Sequence, residues 1–260
     1  MSDTLQIVQH EGQGFFSCCS VLIDNIVKYF NTNKKLPLAV NNINVFMKYN
    51  PYPSHDITSI YFNIPEIPII EYNNSIQHSE GAQFEPFGNI NYSHIEPFIR
   101  LYFSPSNTIK DLIQLMETKY SIDYNNTCVM FYRGLDKCTE LILPSYDEHL
   151  KEANNLRVKE PQLRFLIQTD ETEYLSYMLQ QLNNSFNLEE IRHVNKQRTT
   201  VDFLCTKDIN FAFSQYFLAI VYIMAKCKYV ICNSGNISVW ICYFRGNSDN
   251  VIQYLNDRFI

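Results

Sequence analysis

Apolar positions in this 260-residue chain follow two different periods. Leu5-Gln6-Ile7-Val8 is a short β-prone run. After a glycine-bearing loop, the stretch from Ser17 to Phe30 sets Val21, Leu22, Ile26, Val27 and Phe30 on one helical face. Leu36-Pro37-Leu38-Ala39-Val40 reads as a second strand, so the pattern predicts an opening β-α-β unit. From Tyr49 to Pro97, Pro, Asn and aromatic residues displace both periods, which predicts loops with short strands and a helix. Thr108 to Lys119 then reads as a helix, with Ile109, Leu112, Ile113 and Met116 on one side.

The second half alternates more cleanly. Strands are predicted at Cys128 to Tyr132, Leu163 to Ile167, Ile191 to Val194 and Tyr229 to Cys232. Helices are predicted at Ser145 to Leu156, Glu171 to Leu182 and Phe211 to Cys227, with another starting near Asn236. Continuous apolar strands alternating with helices define the α/β class with a mostly parallel sheet. Two units are expected, residues 1–122 and 123–260, each a modest α/β domain.

Composition narrows the class. Hydrophobic residues make up 46% and aromatics 14%, which supports a substantial core and excludes a disordered chain. A net charge of −6 argues against a nucleic-acid binder, so nucleic acid is not an expected partner. The eight cysteines lack C-x-x-C spacing, sit mostly among apolar neighbours and read as buried thiols. Met1-Ser2-Asp3-Thr4-Leu5 lacks the basic and apolar regions of a secretion signal, so a cytoplasmic location without disulfides is expected. The longest apolar stretch, Phe217 to Ala225, is under half of the roughly 20 residues a bilayer requires, so no membrane span is expected. Abundant Asn, Ile and Tyr point to an AT-rich genome, such as that of a large virus or a low-GC bacterium.

In open α/β sheets ligands lie beyond the carboxyl ends of the strands, so the loops there carry the candidate chemistry. Arg133-Gly134-Leu135-Asp136-Lys137, with Glu140 close behind, follows a predicted strand. An arginine there can hold two phosphate oxygens at once, and a salt-bridged surface turn fits the same residues. Asn233-Ser234-Gly235-Asn236-Ile237-Ser238 links a strand to a helix. It reads either as a phosphate site at a helix N-terminus or as a capped helix. Gly12-Gln13-Gly14 is a weak glycine loop, lacking the third glycine of a dinucleotide fingerprint. Phosphate-loop, H-E-x-x-H and G-x-S-x-G motifs are absent, and the six scattered histidines read as core or surface groups. No metal-binding residues are expected, and Trp240 reads as core.

Together these loops resemble the superfamily of α1,6-fucosyltransferases and protein O-fucosyltransferases, with their bacterial and viral relatives. The family's strand followed by H-x-R-R-x-D-K, or the shorter R-G-T-D-K, reads here Phe131-Tyr132-Arg133-Gly134-Leu135-Asp136-Lys137. Its A-T-D-D strand end reads Gln168-Thr169-Asp170-Glu171, and its S-S or S-N helix entry reads Asn233-Ser234-Gly235-Asn236. The Gly12 to Ser17 loop resembles the family's donor-facing glycine loop. Phe131 stands where the longer motif has His. Ala219 and Ile220 stand where the family carries a guanine-reading Asp.

The resemblance implies a GT-B-like pair of Rossmann-type halves with a cleft between them. Residues 1–122 would be the acceptor side and 123–260 the nucleotide-sugar side. It implies an inverting glycosyltransferase needing no metal or other cofactor, which moves fucose from GDP-fucose to a glycan or protein acceptor. Arg133 would hold the β-phosphate. Gly12, Gly14, Phe15, Lys137, Thr169, Asp170, Ser234, Gly235, Asn236 and Ser238 would complete the donor site, with Asp170 orienting Arg133. Glu140 or Asp136 would be the base, Glu140 being favoured. A non-catalytic module that keeps the fold and binds a nucleotide sugar is the alternative.

Overall fold

The structure is a computed structural model that describes residues 4–7, 13–63, 75–79 and 81–260. Strand β1 (Thr4–Gln6), helix α1 (Phe15–Asn33) and strand β2 (Ala39–Asn41) form the expected opening unit, with β1 and β2 paired in parallel. The apolar face of α1, including Leu22, Ile26, Val27 and Phe30, is buried. The second strand begins beyond Pro37, which has no N–H to give to a ladder. A short helix α2 (Thr58–Tyr61) precedes α3 (Tyr92–Tyr102) and α4 (Asn107–Tyr120). The loop-rich reading up to Pro97 cut α3 in half. Asn91 caps that helix by accepting the His94 N–H, and Pro97 is carried inside it.

The second half holds β3 (Thr127–Tyr132), α5 (Tyr146–Lys159), β4 (Arg164–Thr169), α6 (Thr172–Gln181) and β5 (Ser185–Phe186). They are followed by α7 (Lys207–Lys226), β6 (Tyr229–Asn233), α8 (Asn236–Arg245), β7 (Val251–Leu255) and β8 (Arg258–Phe259). The sheet order is β5-β4-β3-β6-β7-β8, parallel except for the β7–β8 pair. Each residue of β3 is buried, as a strand covered on both faces requires. Val129, Phe131, Leu166 and Val230 face α1, α7 and α8. Cys128, Met130, Phe165 and Ile167 face the other way, toward α5 and α6.

One expected strand does not form. The segment Ile191 to Val194 touches the sheet through a single bridge, Glu171 to Val194, and Ser185–Phe186 takes the edge position instead. The Arg192 side chain donates to the Ile209 carbonyl and to the Asn210 amide oxygen, tying this segment to the start of α7. Helix α7 starts four residues before the expected Phe211, with Asp208 in its first turn where a carboxylate suits the helix dipole. It is long and apolar enough to cross a bilayer, and the protein buries most of it. Trp240 lies fully in the core, its Nε1–H donating to Ser20 Oγ at 3.0 Å. Cys138 departs from the buried-thiol expectation: it is exposed, in the turn after Lys137.

Candidate active site

The chain leaves β3 for β4 and β5 on one side, then crosses back to β6 on the other. A crevice therefore opens between the ends of β3 and β6, where doubly wound sheets bind ligands. The register fixes which residues meet there. Phe131 pairs with Cys232 and with Gln168, so Arg133, Asp170 and Ser234 all emerge at the same edge.

A cavity of about 250 Å³ fills that crevice. Gly14 and Phe15, Arg133, Asp136, Lys137 and Glu140, Thr169 and Asp170, and Ser234, Gly235, Asn236 and Ser238 all line it. Gly12 lies outside the described residues. Segments far apart in sequence thus meet around one space.

Arg133 is the hub. Its Nε–H donates to Asp170 Oδ2 and its Nη2 to Asp136 Oδ1 at 2.7 Å. Nη1 stays without a partner among the described residues. Burial would lower the guanidinium pKa, and the charges of Asp170 and Asp136 more than reverse that, raising it above its ordinary value. The second oxygen of Asp170 accepts the Gly134 N–H at 3.0 Å, so one carboxylate sets both the side chain and the turn. Gly134 has no room for a side chain, since a Cβ would sit 1.9 Å from Glu171 Oε2. Tyr146 donates its hydroxyl to the other oxygen of Glu171, and burial pushes that carboxyl pKa up.

Helix α8 enters the cavity with no side-chain cap. Its serines and asparagine are engaged elsewhere: Ser234 Oγ donates to the Tyr254 carbonyl at 3.0 Å, Ser238 Oγ to the Asn233 carbonyl at 2.7 Å, and Asn236 Nδ2 to Ser17 Oγ at 2.9 Å. The first N–H groups of the helix remain for a ligand, where the dipole favours an anion. Lys137 pairs with Glu140 and lies beneath Gly235. Both candidate bases are therefore ion-paired, Asp136 to Arg133 and Glu140 to Lys137.

Part of the lining escaped the sequence. Tyr49, Arg192, Thr200, Asp202 and Phe203 line the same cavity. Asp202 accepts from the Tyr49 and Thr200 hydroxyls and pairs with Lys48 at 3.4 Å. Burial alone would raise its pKa. The two hydroxyls, with Lys48 and Arg133, outweigh that and hold it below the ordinary carboxylate range. Its one sequence signal was an acid between Val201 and Phe203, with no strand or motif before it.

The six-stranded, mostly parallel sheet with its switch-point cavity, together with the smaller parallel unit, makes a GT-B-like fold. Two solved structures of the α-1,6-fucosyltransferase NodZ share it. The one co-crystallised with GDP is 11% identical and has a TM-score of 0.55, covering 99% of this chain and 97% of that one. The other, soaked with GDP-fucose, is 10% identical with a TM-score of 0.56, covering 99% and 98%. The fold expected from the resemblance is thus the fold observed. No protein-family profile matches the sequence, and no curated protein is similar to it in sequence.

Proposed function

We infer that this chain is an inverting, metal-independent glycosyltransferase that moves fucose from GDP-fucose to a glycan or protein acceptor. The carrying observation is the convergence on one cavity of Arg133, whose Nη1 has no partner among the described residues, and the uncapped start of α8. Such a pair holds a diphosphate by its oxygens and takes up charge as the bond to the anomeric carbon breaks. The acceptor hydroxyl attacks that carbon from the opposite face, and its proton passes to a cavity carboxylate, Glu140 or Asp136. Both carboxylates are ion-paired, and Glu140 is favoured because its side chain is the more exposed to an incoming acceptor, 39% against 24% for Asp136. The division into an acceptor half, 1–122, and a donor half, 123–260, belongs to the same proposal.

Fluorescence-monitored melting against nucleoside diphosphates and nucleotide sugars tests the reading. A ligand at 100 times its dissociation constant adds about 2.7 kcal/mol. Stabilisation by GDP that disappears in Arg133→Ala is the expected result, and no response to any nucleotide would refute it. A second reading, a nucleotide-sugar-binding module without turnover, draws on the ion-pairing of both candidate bases. Release of fucose from GDP-fucose separates the two.

A further inference from the structure

Asp202 is buried to 6% exposure, yet it lines the cavity that also holds Arg133. No step above uses it. A carboxylate has about four lone-pair positions on its two oxygens. Here Oδ2 accepts from Tyr49 and Lys48, and Oδ1 accepts from Thr200. The group is fixed from two sides of the protein, because Tyr49 and Lys48 precede residue 50 while Thr200 and Asp202 lie in the turn before α7. Asn210 adds a third tether by donating to the Asp202 carbonyl at 2.8 Å. One acceptor position on Oδ1 remains. Its chemistry is selective: an anion is repelled, and a neutral hydroxyl is welcome.

We propose that Asp202 is a specificity-determining residue that accepts a hydrogen bond from a hydroxyl of the transferred sugar. This rests on the reading of the cavity as a nucleotide-sugar site. The diphosphate has its own donors at Arg133 and α8, so a carboxylate elsewhere in the cavity lining serves the uncharged end of the ligand. Tyr49, Lys48 and Thr200 orient it: the three donors occupy the other positions and leave a single one for the sugar.

Calorimetric titration with two probes, GDP and GDP-fucose, tests this on wild type, Asp202→Asn and Thr200→Val. Asp202→Asn is expected to weaken GDP-fucose about tenfold, roughly 1.4 kcal/mol, while GDP changes less than about twofold. Thr200→Val, which keeps the carboxylate but loosens it, is expected to show a smaller loss in the same direction. Equal weakening of both probes would overturn the proposal, since the role would then be nucleotide binding or folding. Unchanged binding of both with loss of turnover would overturn it too, making Asp202 the base. Failure of wild type to bind either probe would refute the underlying functional reading, and this proposal with it.

Discussion

Asn233 spends its whole amide on Arg133: its Oδ1 accepts the Arg133 N–H at 2.9 Å, and its Nδ2 donates to the Arg133 carbonyl at 3.2 Å. The ends of two neighbouring strands are thereby stitched together just where the cavity begins. The position of the guanidinium is inherited from this backbone clamp as much as from its own ion pairs.

Replacing Asn233 with Ala removes both bonds and leaves a backbone N–H and C=O unmatched. The expected loss is about 1–3 kcal/mol of stability. A denaturant titration measures it. Nucleotide affinity should fall as well, since Arg133 loses its anchor.

Arg133→Ala is expected to lower turnover by about 10²–10³-fold, the scale for one preorganised donor to developing charge. Arg133→Lys should not restore it, because an ammonium cannot reach Asp170 and a ligand in the same fork. Arg133→Ala also strands the buried Asp170, so its melting temperature should drop. Wild-type turnover in Arg133→Lys would contradict the assignment.

Gly134→Ala forces a methyl onto Glu171 and the Tyr132 ring. We expect a cost of about 1–3 kcal/mol from overpacking. Shortening the acid in Gly134→Ala/Glu171→Ala should recover part of it, leaving the contact with Tyr132. A double-mutant cycle by chemical denaturation reads the coupling, and simple additivity would disprove the contact.

His149 is fully buried, with Nδ1 on the Tyr174 hydroxyl at 2.7 Å, and burial pushes its pKa down to about 3. An unfolded histidine titrates near 6.5. Between those values the unfolded state binds the extra proton, so the contribution of the neutral ring is full above about pH 6.5 and is lost as pH falls toward 3. Stability followed from pH 7 to pH 4 should therefore decline, and His149→Phe should flatten the slope.

The sequence revealed the elements that carry a strong period and the loops that follow them. Strands β3, β4 and β6 each hold a run of apolar residues that made them legible; the end of β3 falls at Tyr132 as expected, whereas β4 runs two residues past Ile167, through the polar Gln168 and Thr169, and β6 one past Cys232. The hairpin of β7 and β8 was missed because Gln253 interrupts the apolar run of β7 and β8 has only two residues, although Asn256 and Asp257 supply the two positive-φ residues of a tight turn. The Asp202 wall was missed for a different reason. Its parts, Tyr49, Thr200 and Asp202, lie in irregular segments, and tertiary packing alone brings them together.

The hydrogen bond from Asn236 to Ser17 spans most of the polypeptide, and Ser234 is held by Tyr254 still further on. During synthesis the polar edge of the first helix has only water as a partner until α8 has left the ribosome. Closure over such long loops is slow. A chain ending before β7 would carry every residue named here as a ligand contact and still have no finished pocket to offer.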